Sequence, residues 1–218
     1  MFDHFDWLPK VLMLPALVYA LTVHEFCHAY TAVRMGDDTP RRQGRLSLNP
    51  LVHFDLIGFL LFFFAGFGWA RPVQVNPDAF RNPRRDDILV SLAGRLSNLA
   101  SAVLFAVLIK ALLMANGNIF SGIKGDILFG ILFYCIWLNL ILAFFNILPI
   151  PPLDGSHILF DLLPPRYEIF KETLYRYGSA ILILIVILGN TANINLLPLG
   201  PVATFVYRGL FQILQINY

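Results

Sequence analysis

Stretches of near membrane-spanning length recur along this chain, at about 11–33, 88–115, 127–148 and 179–199. A helix needs roughly 20 mostly apolar residues to cross the hydrocarbon core. The composition agrees with that reading: 57% of the 218 residues are hydrophobic and 14% are charged, whereas soluble domains carry about a quarter charged residues. The pattern predicts an all-α polytopic membrane protein with about five to six transmembrane or re-entrant segments. The first run is too long for the hydrophobic part of a cleavable signal and carries ionisable residues near its end. Cys27 and Cys135 both fall inside hydrophobic runs, so no disulfide framework is expected. A net charge of +2 points to no nucleic acid. The implied surroundings are lipid.

The placement of basic residues says more than their sum. Arg34, Arg41, Arg42 and Arg45 follow the first run, and Arg71, Arg81, Arg84 and Arg85 follow a Phe- and Gly-rich stretch at 56–70. The connection at 116–126 carries only Lys124. If both Arg-rich loops are cytosolic, the 56–70 stretch dips into the membrane and returns, which is tolerated where protein or a wet cavity covers its backbone. An ordinary crossing with one Arg-rich loop outside is the alternative. Two short stretches, 45–49 and 73–76, alternate in character and adjoin Pro50 and Pro72, so they read as edge strands of a small β-hairpin or sheet near the cytosolic face. Residues 1–218 are read as one membrane-embedded domain, with a core at about 9–163 and C-terminal hydrophobic segments at about 178–216.

Chemistry is concentrated in two places. His24-Glu25-Phe26-Cys27-His28 is an H-E-x-x-H pattern. On a helix, positions i and i+4 share a face, so both imidazoles can meet one metal while the adjacent carboxylate takes a proton from water. A pair of helix histidines bonded to neighbours is the plainer alternative. The cost of ionisable groups in a membrane segment argues against it. A catalytic zinc needs a third protein ligand and an open position. Asn146 to Gly155 supplies a candidate, because Pro149, Pro151 and Pro152 must break the helix before Asp154. Asp154 could complete a two-His, one-Asp site, as broken helices in membranes often build ion sites. It could equally cap the helix that follows.

Together the two patterns resemble the site-2 protease family of intramembrane metalloproteases, marked by H-E-x-x-H and a later N-x-x-P-x-x-x-L-D-G. Stretches 44–50, 68–73 and 82–86 look like its compact prokaryotic branch, which lacks PDZ and CBS domains. The resemblance implies one zinc per chain held by His24, His28 and Asp154, with Glu25 as catalytic base. It implies that Asn146 holds substrate or the oxyanion, and that Gly94 and Asn98 form the family's G-x-x-x-N. Asn98 would then bind substrate or hydrogen-bond between helices. Arg95 stands where relatives usually have proline, and an arginine there must reach water, a carboxylate or a carbonyl.

The substrate implied is a transmembrane protein, cut in or near its membrane segment. An unwound substrate could add as a strand at Val73 and Val75. His53 could be an extra ligand, although hydrogen bonding at the interface is the commoner role for such a histidine. His157, one turn after Asp154, could orient that carboxylate or serve helix packing. A metal-ion transporter using the same ligands is the rival reading, but transport needs no base beside His24. Oligomeric state and regulators leave no mark in the sequence.

Overall fold

The computed structural model describes residues 7–65, 68–192 and 197–216. Its elements are α1 (Trp7–Met35), α2 (Thr39–Arg42), α3 (Leu56–Ala65), α4 (Pro83–Ala115), α5 (Gly122–Phe145), α6 (Asp154–Leu162), α7 (Glu168–Ala192) and α8 (Leu199–Ile213). Four helices among the described residues are long and apolar enough to cross a membrane: Leu8–Met35, Pro83–Ala115, Gly122–Phe145 and Pro165–Gly189. The protein is therefore all-α and multi-pass.

Helices α1, α4 and α5 pack against one another and carry the core. Without a hydrophobic drive between helices in lipid, close packing of small residues holds such helices together. Ala16, Ala20, Ala29 and Ala32 of α1 are fully buried, as are Ala102 and Ala106 of α4. Ala16 and Leu17 meet Cys135 and Leu138 of α5. Farther along, Ala102, Ala106 and Ile109 meet Leu132, Ile136 and Leu140, with Ala203 of α8 against the same cluster. Residues 16, 20, 24 and 28 lie four apart. The small-residue line of α1 thus runs directly into its two histidines. Cys27 and Cys135 are free thiols.

After α5 the chain turns through its proline-rich stretch and starts again as α6 at Asp154. The Gly155 N–H donates to Asn146 O at 2.8 Å. A Cβ at Gly155 would collide with the backbone oxygens of Ile147 and Leu148, so only glycine allows this turn to close. α7 leans on the same turn, with Gly178 against Pro151.

The expected β-hairpin or sheet is not formed: among the described residues there is no strand. Residues 72–76 have no regular secondary structure, with Asn76 extended, and side-chain carboxylates stand in for the missing ladder. Val73 N–H donates to Glu25 Oε2 at 2.8 Å and Asn76 N–H to Asp37 Oδ2 at 2.7 Å. Residues 45–53 are held as a loop. Arg45 donates to Val52 O, His53 Nε2 bonds Ser47 O at 2.9 Å, and Asn49 Oδ1 accepts from Leu51 N–H at 3.1 Å.

Asp37 is fully buried, and its other oxygen accepts Thr39 N–H at 2.9 Å. Asp37→Ala removes the acceptor of both N–H groups, at a cost of about 1–3 kcal/mol. It should free the backbone at 73–76, read as faster hydrogen exchange at Asn76 in micelles. An unchanged exchange rate there would show that the carboxylate does not anchor the segment.

Candidate metal centre

His24 and His28 sit one turn apart on α1, nearly perpendicular, with ring centroids 4.5 Å apart. Their Nε2 atoms approach to 2.9 Å. Asp154, first residue of α6, brings Oδ2 to 3.4 Å from His24 Nε2 and Oδ1 to 3.4 Å from His28 Nε2. One donor atom from each of the three lies within 4.8 Å of the others. The cap position of α6 is Leu153, so the Asp154 carboxylate turns to the histidines rather than capping its own helix. Asp154 Oδ2 is buried and has no hydrogen-bond partner.

Hydrogen placement decides what this cluster can hold. Asn98 Nδ2 donates to Ala20 O at 3.2 Å and to Asn139 Oδ1 at 2.8 Å. The amide therefore presents Oδ1, an acceptor, to His24 Nδ1 at 2.7 Å. A neutral His24 then carries its hydrogen on Nδ1 and a lone pair on Nε2. Val90 O, 2.8 Å from His28 Nδ1, fixes the same tautomer there. With both rings neutral, two Nε2 lone pairs and a carboxylate converge. That arrangement suits a cation. The nitrogen and oxygen donors match those that bind zinc.

The supporting residues hold the geometry. Asn139, fully buried, donates through Nδ2 to Cys135 O at 2.7 Å. A chain of amides thus runs from α5 through Asn98 of α4 to His24. Ligand histidines commonly rely on such an outer bond for ring orientation. Gly94 faces both imidazoles: a Cβ there would overlap His28 Nε2 and lie 2.6 Å from His24 Cε1. Arg95 reaches a carbonyl, one of the three partners expected of it. It is 7% exposed, its Nε donates to Ser91 O at 3.2 Å, and Asp154 is the opposing charge that acts on it.

A cleft of about 350 Å³ opens onto the cluster, with Glu25, Val73, Val75 and Asn146 in its lining. Asn146 Nδ2 donates to Leu142 O at 3.0 Å, which leaves its second amide hydrogen for the cleft. His157 lines the cleft too, with Nδ1 3.3 Å from Asp87 Oδ2. That hydrogen bond raises the His157 pKa. Burial, and then the Asp87 carboxylate, push the Asp161 carboxyl up to about 6.

Of the expected site residues, the structure brings together His24, Glu25, His28, Asn146, Asp154, Val73 and Val75, with Asn98 directly behind His24. His53 stands apart from the donor cluster, bonded to Ser47. Sequence reasoning missed Asn139 and Asp37. An amide in the middle of the apolar run 127–148, one of two there with Asn146, is the signal for Asn139. Asp37, in a polar turn, gave none.

The sequence matches the family described as peptidase family M50 over residues 12–188. YwhC of Bacillus subtilis (strain 168), a protein named as a zinc metalloprotease, is 41% identical over 84% of this chain and 84% of its own length. Rip2 of Mycobacterium tuberculosis (strain ATCC 25618 / H37Rv), similarly named, is 32% identical over 84% of this chain and 69% of its own. A protein of Methanocaldococcus jannaschii with the same kind of name is 29% identical over 72% of this chain and 74% of its own. No solved structure matches the chain. With the family match extending over most of its length, this chain belongs to peptidase family M50, the site-2 protease family of intramembrane zinc metalloproteases.

Proposed function

We propose that this intramembrane zinc metalloprotease cuts transmembrane protein substrates at a metal held by His24, His28 and Asp154. The observation that carries the assignment is the convergence of His24 Nε2, His28 Nε2 and the Asp154 carboxylate, whose donor atoms lie within 4.8 Å of one another. When bound, zinc lowers the pKa of water at its open position and polarises the scissile carbonyl. Glu25 takes the proton of the attacking water and returns it to the leaving amine. The Val73 N–H on Oε2 fixes the carboxylate, and Oε1 carries the transfer. Asn146 donates its second amide hydrogen to the developing oxyanion, a type of contact whose loss costs roughly 100-fold or more in rate. Asn98 holds the His24 ring, and the structure supports this positioning role over direct contact with substrate.

Residues 56–70 enter and leave the membrane on one side in this reading. α3 has 10 residues, about 15 Å of helix, which is half a hydrocarbon core. The ends of the segment meet, with Arg71 N–H donating to His53 O at 2.8 Å. Gly58 and Gly68 pack backbone to backbone, since a Cβ on either would collide with the other strand of the loop. Both Arg-rich loops then share a side, which the positive-inside rule makes cytosolic. The metal cluster lies toward that end of α1. The segment 73–76 offers an edge on which an unwound substrate adds as a strand. Residues 1–218 act as one domain here, because α8 packs on the same core as α4 and α5.

Glu25→Gln should retain about one zinc per chain and lose cleavage by roughly 100-fold or more. Metal analysis beside a single-span substrate assay reads both, and a fully active Glu25→Gln would defeat the assignment. Asn98→Ala should weaken zinc binding about 10- to 100-fold, with cleavage regained at excess zinc. A loss that zinc leaves unchanged would place Asn98 on the substrate instead. Val73→Pro removes the N–H that holds Glu25 and should lower kcat, whereas Val75→Pro removes only an edge donor and should raise KM. Equal, small effects of both would argue against strand addition at this edge.

A further inference from the structure

A second hollow lies beside the cleft, toward the start of α1. Its volume is about 220 Å³, with Leu17, Val18 and Thr22 on one wall and Phe59 and Phe62 of α3 on the other. Leu21, Gly68, Trp69 and Ala70 line both this hollow and the catalytic cleft. The two spaces are therefore neighbours across one wall.

Few polar groups line the hollow. Thr22 Oγ1 donates to Val18 O at 2.6 Å. Asp55 Oδ1 accepts Gly58 N–H at 2.8 Å. His53 Nε2 is bonded to Ser47 O, and its unpartnered Nδ1 is enclosed by protein. Water is stable in a cavity only where it finds two to four polar partners. The lining here is predominantly apolar, so an apolar occupant suits it.

We propose that the hollow is a specificity pocket for one large apolar side chain of the substrate, such as leucine or phenylalanine. The inference rests on the proteolytic reading above and names what that site selects. Leu21 lies three residues before His24, about 4.5 Å along the helix, and Val18 lies about 9 Å away. An extended chain advances about 3.3 Å per residue. The pocket thus serves a position within about three residues of the scissile bond. The shared wall favours a substrate side chain over a lipid tail, because an extended substrate in the cleft passes Trp69 and Ala70 before reaching Val73.

The test uses purified full-length protein and single-span substrates carrying Gly, Ala, Leu or Phe at each of three residues on either side of the cut. Product masses fix the bond, and Glu25→Gln is the blank. One position should prefer Leu or Phe over Gly by roughly 10-fold or more. Val18→Phe fills the pocket and should shift that one preference toward Ala by about 10-fold, with other positions unchanged. Thr22→Leu, filling from the next turn, should do the same should Val18→Phe fail to fold. Unchanged preference in a folded, zinc-loaded variant overturns the pocket while leaving the protease assignment intact. Unchanged preference together with loss of a co-purifying lipid identifies a lipid site and also overturns it. Equal cleavage by wild type and Glu25→Gln overturns the underlying mechanism, and with it the pocket.

Discussion

Two imidazole Nε2 atoms facing each other at 2.9 Å form a contact that the surrounding protein holds in place. Each ring would turn away if its far nitrogen were free. Asn98 and Val90 O prevent this by accepting the Nδ1 hydrogens. Asn98 is in turn fixed by Asn139 and Ala20 O, so three helices contribute to one ring orientation. The close packing of α1, α4 and α5 on small residues follows from the same demand. Gly94 can approach both histidines only because it lacks a side chain, and the buried alanines of α1 keep the axes near enough for these short amide bonds.

Much of this was readable beforehand, and the reason is geometric. H-E-x-x-H fixes two side chains on one helical face whatever the tertiary structure does. The proline run before Asp154 likewise forces a break whose product is a carboxylate beside a short helix. What these patterns could not specify is partner choice across helices. The bond between Asn98 and Asn139 joins residues 41 apart in sequence, and no local periodicity records such a pairing. Arg95 meets what was expected of it, since a charge that must reach water, a carboxylate or a carbonyl is bonded to Ser91 O and feels Asp154. Which of the three it would find was not legible.

The strand pattern at 73–76 misled for a physical reason. Alternation and a preceding proline report an extended backbone, but not what its N–H groups will meet. Here the acceptors are carboxylates from α1 and from the turn after it. Glu25 takes one N–H and Asp37 another. A charged acceptor makes a stronger hydrogen bond than a neighbouring carbonyl does, so the segment is held without a partner strand. The arrangement also couples structure to chemistry, since the group that binds Val73 is the catalytic base of the proposed mechanism.

That coupling bears on which substrates can be cut. A transmembrane helix arrives with its backbone groups already bonded to one another, and hydrocarbon supplies no replacement if they open. The 73–76 edge can supply one, but only to a substrate segment that has come out of its helix. Selection then acts at two levels. In the proposed mechanism the substrate carries a stretch weak enough to unwind, such as one containing glycine or proline, and places an apolar side chain where Leu21, Trp69 and Ala70 lie between the cleft and the hollow. A helix with the right side chain but no weak stretch never reaches the edge. One with a weak stretch but no apolar anchor reaches it without being held in register.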